Sequence, residues 1–506
     1  MLPEQPESGS IRRRDVLRGM VAAGAMAVSP PFVGRAAAKH PSGSLPRTIE
    51  EAGKLIQTRK VSVTELTTAF LECARQSEPT LNAFITLTEQ HALATAAALD
   101  EEHRRGRRRG ALHGIPVVYK DNFDTAGILT TMGSQFLSTR VATTDAEAVR
   151  KLSAAGAVTI GKANMNEFAA GVAGLNQFYG NAISPWNTGH WPGGSSSGSG
   201  VAVAAGLCLG SLGTDTGVSV RGPASWLGLV GVRPSYGRVS VRGTFPRAYT
   251  FDTVGPLAHT VADAATLLTA ISGFDPQDEF AVPSPDEDFT KFKNGVKTLR
   301  LGIVEDFTFR NVNAEVGQAV QAAVDLLERM GAEIKTVSIP LLSGKIDFRY
   351  PLTILLYEFN QILGDAYRAE PNKSLFGPVV QANIAAGELI TEETYQEAID
   401  RRPGEIAEIR QVFSEVDAFI TPTHPFVAPP VSVNAEGDAG VRQFTVPISY
   451  TGFPAISIPC GFNSEGLPIG LQIVANDFQE SLLFRIAGTF EQATDFHDRH
   501  PAIFCS

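Results

Sequence analysis

The sequence predicts an α/β fold in which a mostly parallel or mixed sheet is covered by helices on both faces within one large domain. Apolar runs of strand length alternate with amphipathic helical patterns along most of the chain. The 506 residues, 43% hydrophobic and 19% charged, suffice for a large core and exclude a disordered or collagen-like chain. Strand and helix signals also continue across the Pro-punctuated stretches 283–288 and 422–430 without a shift in composition. These stretches therefore read as surface loops rather than domain boundaries.

Each element follows from local chemistry. Ser62-Val63-Thr64-Glu65 reads as a capping box ahead of Leu66, Ala69, Phe70 and Cys73, which share one helical face. The Ala-rich run from Glu89 to Glu102 is a second helix, ending in a basic turn from Arg104 to Arg109. Gly114 to Lys120 is an apolar strand that ends on a lysine. Thr144 to Glu147 reads as another capping box, its helix running to Gly156, and Ala157 to Ile160 as a buried strand. Farther on, Leu299 to Val304 and Glu333 to Val337 are strands. They flank a helix whose face is Val316, Val320, Ala323, Val324 and Leu327 and which ends near Gly331. Residues 340–415 form a helical excursion.

The N-terminus reads as an address. Arg12-Arg13-Arg14, a charge-free stretch from Gly19 to Gly34 and Ala36-Ala37-Ala38 resemble a twin-arginine export signal, with cleavage expected after Ala38. The expected organisation is therefore a signal over residues 1–38 and an enzyme domain over 39–506, delivered by the export machinery to the periplasm or beyond. The apolar part is short and carries Pro30-Pro31, so no stable membrane insertion is expected after signal removal. The net charge of −10 argues against nucleic acid as a partner and favours a small-molecule substrate. A homodimer is left open. The four cysteines, Cys73, Cys208, Cys460 and Cys505, are too scattered for a disulfide framework or a zinc site and are expected to be buried free thiols.

The chemistry is concentrated between Lys120 and Ser219. The segment from Pro192 to Gly200 is rich in Gly and Ser, but it lacks the Lys of a phosphate-binding loop and the third Gly of a dinucleotide fingerprint, which would fall at Val203. Gly194-Ser195-Ser196-Ser197-Gly198 matches a nucleophile elbow, with Ser196 as nucleophile and His259 or His424 as base. An elbow needs a preceding strand, whereas His190-Trp191-Pro192 stands there. A second serine, Ser219, lies downstream in Gly213-Thr214-Asp215-Thr216-Gly217-Val218-Ser219-Val220-Arg221.

Gly193-Gly194-Ser195-Ser196, an apolar helix and then this second serine segment together resemble the amidase signature family. The resemblance extends to Gly114–Asn122, Gly161–Phe168, Pro185-Trp186-Asn187, Gly231–Pro234, Pro454–Gly461 and Leu467–Gln472, and covers about residue 48 to residue 501. It implies the amidase-signature fold and hydrolysis of a carboxamide C–N bond to acid plus ammonia or amine, without cofactor or metal. It also implies site roles: Ser219 as nucleophile, Ser195 as a bridging serine on a cis peptide after Gly194, and Lys120 as terminal base. A hydroxyl needs a base within reach, and lysine serves only when burial keeps it neutral. The N–H groups of Thr216, Gly217, Val218 and Ser219 form the implied oxyanion hole. Val218 stands where relatives usually carry glycine, so it must sit at negative φ, with its isopropyl group packed behind the loop. Asp215 and Arg221 read as a loop clamp. Ala169, Ser196, Thr214 and Arg442 are the candidate substrate contacts. The family also includes glutaminase subunits of tRNA-dependent amidotransferases. Those carry an acid for the glutamine α-amino group where an ungapped comparison places Arg442, so this class is the alternative reading.

Overall fold

The computed structural model describes residues 45–293, 295–343, 349–437 and 439–505, and the expected export signal lies outside them. Among the described residues eleven strands build one mixed sheet: β1 (Phe84–Leu87), β2 (Pro116–Lys120), β3 (Val158–Ala163), β4 (Ser211–Asp215), β5 (Val230–Arg233), β6 (Thr253–Ala258), β7 (Arg300–Val304), β8 (Glu333–Val337), β9 (Ala418–Pro422), β10 (Ala455–Phe462) and β11 (Pro468–Ala475). Their order is β1-β3-β2-β4-β6-β5-β10-β11-β9-β7-β8. β2 runs parallel to both β3 and β4, and β7 parallel to β8 and β9, while the centre of the sheet is antiparallel.

The local signals hold where they depend on near neighbours. Ser62 caps the helix Val63–Leu81: its Oγ accepts from the Glu65 N–H at 3.1 Å, and Glu65 Oε2 accepts from the Ser62 N–H at 2.8 Å. All five residues of the predicted face are buried in the helix Ala314–Arg329. The excursion is helical, with Arg349–Arg368, Pro378–Glu388 and Glu392–Arg410 packed together beyond the sheet. The apolar run after the Gly/Ser segment becomes the helix Ser197–Ala204, buried at every position.

Two expectations are corrected. The second capping box does not form: the helix is Glu147–Ala154, its N-cap is Ala146, and no side chain caps it. Glu147 is drawn instead to Arg150 and Arg242, ion pairs stronger than a bond back to the Thr144 N–H. The cysteines also divide. Cys208 and Cys460 are buried free thiols, but Cys73 and Cys505 are joined in a disulfide with Cα atoms 6.1 Å apart. The partners are 432 residues apart, and only the folded chain brings them together.

What matters for the site is one edge of the sheet. The parallel strands β2 and β4 bring their carboxyl ends, Lys120 and Asp215, to the same side, and β6 begins opposite Asp215 at Thr253. The carboxyl edge of strands is where open α/β sheets present binding residues.

Candidate active site

Lys120 ends β2 with its side chain fully buried. Its Nζ lies 2.8 Å from Ser195 Oγ and 2.8 Å from Thr214 Oγ1. Burial dominates its electrostatics and pulls its pKa down to about 7, although the carboxylates of Asp252 and Asp215 pull the other way. Asn122 Nδ2 donates to the same Thr214 Oγ1 at 3.1 Å. With Asn122 and one amine N–H on Thr214, the lone pair of a neutral Lys120 is left to face the Ser195 hydroxyl.

The Ser195 segment is held by close backbone packing. The Gly194–Ser195 peptide is cis. A Cβ at Gly194 would collide with Asn166 Oδ1, and one at Gly198 with the Ala83 carbonyl. The loop then docks on the second serine, where the Ser196 N–H donates to the Ser219 carbonyl at 3.3 Å. Ser195 is fully buried, whereas Ser219 keeps 5% of its surface, and Ser219 Oγ makes no hydrogen bond among the described residues.

The loop from Thr216 to Ser219 is shaped by its neighbours. The Asp215 carboxylate accepts from the N–H groups of Val220 and Arg221, at 3.2 and 3.3 Å. Among the described residues the preceding amides of Thr216, Gly217, Val218 and Ser219 donate to nothing, so four consecutive donors remain for a ligand oxygen. Arg221 grips Asp215 through Nε at 2.9 Å and Nη2 at 3.0 Å, and its Nη2 also reaches the Gly217 carbonyl and Ser449 Oγ. Burial would raise the Asp215 pKa, but Arg221 and Arg233 outweigh it and hold it below the ordinary carboxylate range. The expected loop clamp is present in this form. Val218 is not among the residues at positive φ, and its side chain packs with Val172, Trp191 and Trp226, against Gly222 and behind the loop.

The remaining candidates separate. Ser196 caps the buried helix, with its Oγ 3.4 Å from the Thr214 carbonyl, and no strand precedes it. His424 packs at a tilt against Trp226 with Nδ1 at the Val441 carbonyl, and His259 packs beside His500 and Phe504. Neither histidine bonds Ser196, so the elbow arrangement is not assembled. Ala169 adopts φ +56°, next to Phe168 at +47°, whose N–H donates to the carbonyl of Met132, itself at +58°. Non-glycine residues seldom adopt this conformation, and here three of them line a turn that touches Ser195 through the Asn166 N–H. Arg442 is half-buried, with Nη1 at the Glu436 carbonyl.

Sequence reasoning missed Asp252. It accepts from Thr216 Oγ1 at 2.6 Å and from the N–H groups of Arg247 and Ala248 at 2.7 and 3.1 Å, thereby tying the Thr216–Ser219 loop to the segment before β6. An acid set directly before the apolar run Thr253–Ala258 was the available signal.

The family model described as Amidase matches residues 65–484. The chain belongs to the amidase family. Among curated members, the A subunit of the glutamyl-tRNA(Gln) amidotransferase of Thermosynechococcus vestitus is 36% identical over 479 residues, covering 90% of this chain and 99% of that protein. Among solved amidase-family structures, a peptide amidase in complex with the competitive inhibitor chymostatin superposes with a TM-score of 0.81. It is 32% identical, and the match covers 90% of this chain and 98% of that one. A chain from a vestigial protein complex bearing on the origins of an s-triazine catabolic enzyme gives 0.83 at 32% identity, covering 88% and 98%.

Proposed function

We propose that this amidase-family chain hydrolyses a carboxamide through an acyl-enzyme on Ser219, with Ser195 and Lys120 as the proton relay. The supporting observation is the buried amine of Lys120 at 2.8 Å from Ser195 Oγ, in a loop whose next amide holds the Ser219 backbone. In the attack, Ser219 Oγ bonds to the amide carbon while its proton passes to Ser195, whose own proton moves to neutral Lys120. The oxyanion is received by the unused amides of residues 216–219, a contribution of several kcal/mol in such sites, about 2.7–4 per donor. Reversing the relay protonates the leaving nitrogen, and water then releases the acid. Ser219→Ala should abolish labelling by a fluorophosphonate and lower kcat by about 10³-fold or more. Labelling lost with Ser196→Ala but retained with Ser219→Ala would reject this assignment.

A second reading, the glutaminase component of an amidotransferase, is favoured by the names of the curated relatives, which are 35–37% identical. On that reading the chain works with further subunits and passes ammonia to a glutamyl-tRNA. Against it counts Arg442, which an ungapped comparison sets where glutaminase subunits carry the acid for the glutamine α-amino group. Ammonia release by the isolated chain from glutamine, compared with a panel of alkyl, aryl and peptide amides, separates the two. Selective turnover of glutamine would install the second reading.

We further propose that residues 1–38 direct export. Replacing Arg13 and Arg14 with Lys should leave the protein in the cytoplasmic fraction; unchanged periplasmic protein would reject the twin-arginine reading.

A further inference from the structure

Two guanidinium groups approach the oxyanion loop along different segments of the chain. Arg247 arrives through Asp252: one Asp252 oxygen accepts from Thr216 of the loop, and the other accepts from the Arg247 backbone N–H. Arg442 arrives through the segment before the helix Val446–Thr451, where Val446 lies 3.2 Å from a Cβ placed on Gly217. Arg442 is near enough to Arg247 to oppose its charge.

The Arg247 guanidinium touches no carboxylate among the described residues, and the Asp252 charge reaches it only through space. It is 5% exposed, and its guanidinium lies 3.6 Å over the Phe359 ring, with Nη2 on Asn383 Oδ1 at 2.8 Å. Nη1 is buried and makes no hydrogen bond, and no carboxylate pairs with the guanidinium among the described residues. Asp252, the nearest acid in sequence, spends its oxygens on Thr216 and on backbone amides. Other buried arginines of the chain are paired, Arg221 with Asp215 and Arg238 with Glu480. A buried, unpaired cation is expensive unless a counter-charge arrives with a ligand.

We propose that Arg247 and Arg442 form an anion subsite beside the oxyanion loop, so that the favoured substrates are amides whose acyl chain ends in a second, carboxylate group. This rests on the amidase reading above and narrows it: the acyl part resembles a dicarboxylic acid monoamide with no ammonium group. The carboxylate would take the fork of N–H donors that Arg247 leaves unused, a geometry arginine satisfies better than lysine.

The test uses the full wild-type chain and monoamides of straight-chain dicarboxylic acids, each compared with its methyl ester, which has the same shape without the charge. The wild type is expected to favour the anionic partner by tenfold or more in kcat/KM. Free dicarboxylates should inhibit competitively, and inhibition should weaken as salt rises. Arg247→Gln should reduce the anionic-to-neutral ratio at least tenfold, and Arg247→Lys should restore it only in part. Because the ratio is taken within one preparation, a partly folded variant still reports it. Equal turnover of charged and neutral partners by the wild type, or a ratio unchanged in Arg247→Gln, would overturn the subsite. Loss of Ser219 labelling would instead reject the hydrolase reading itself, so the two failures are distinguishable.

Discussion

Lys120 shows how one residue's surroundings set a reaction's pH dependence. Its pKa near 7 lies well below that of an exposed lysine, because burial penalises the ammonium. The amine must be neutral to accept a proton, so kcat/KM should climb with pH, bend near pH 7 and level off above it. A profile that instead falls from pH 6 to 9 would contradict the assignment. Stability carries the same signature. Between about pH 7 and the ordinary lysine value the unfolded chain holds a proton that the folded chain has released, so Lys120's contribution improves as pH rises. Denaturant midpoints should therefore show the wild type gaining on Lys120→Met from pH 7 toward pH 10. Val218 gives a prediction of another kind. Its side chain packs behind the loop, so Val218→Gly should cost about 1–3 kcal/mol of stability. The ranking of amide substrates should stay the same; a glycine variant that gains bulky substrates would place the isopropyl group in the pocket instead.

At the scale of elements, the loop between β4 and the helix Arg221–Leu227 depends on the buried Asp215–Arg221 pair. Arg221→Met should destabilise the fold by about 3 kcal/mol or more, since it strips the buried Asp215 carboxylate of its hydrogen-bonded guanidinium and leaves only Arg233, 3.5 Å away, to balance it. Adding Asp215→Asn should recover part of that loss. Thermal melts of the two variants check both statements. This scale also shows what was legible in the sequence. The Ser62 cap was, because its partners lie within three residues. Thr144 carried the same pattern and failed, because Arg242, distant in sequence, claims Glu147. Lys120, Ser195 and Ser219 stood out through their motifs. Asp252 and Arg247 did not, because their relation to Thr216 runs through the antiparallel pairing of β4 with β6, and no local pattern encodes that pairing.

For the whole molecule, the α/β class and the single sheet could be read from alternating periodicities. The strand order could not, because β5 pairs with β10 across more than two hundred residues of intervening chain. The Cys73–Cys505 bond was hidden for the same reason, and its effect reaches furthest. Together with the backbone it closes a covalent ring that contains all of the site: Lys120, Ser195, Ser219, Asp252, Arg247 and Arg442 lie between its ends. A protease that nicks an exposed turn, such as the stretch 283–288, opens the ring without separating the pieces. Such a protein should run as two fragments on a reducing gel and as one band on a non-reducing gel. The same nick in Cys505→Ser should let the pieces part under denaturation whether or not reductant is present. In a compartment rich in proteases, the bond would turn a cut that divides the chain into one that merely relocates its termini.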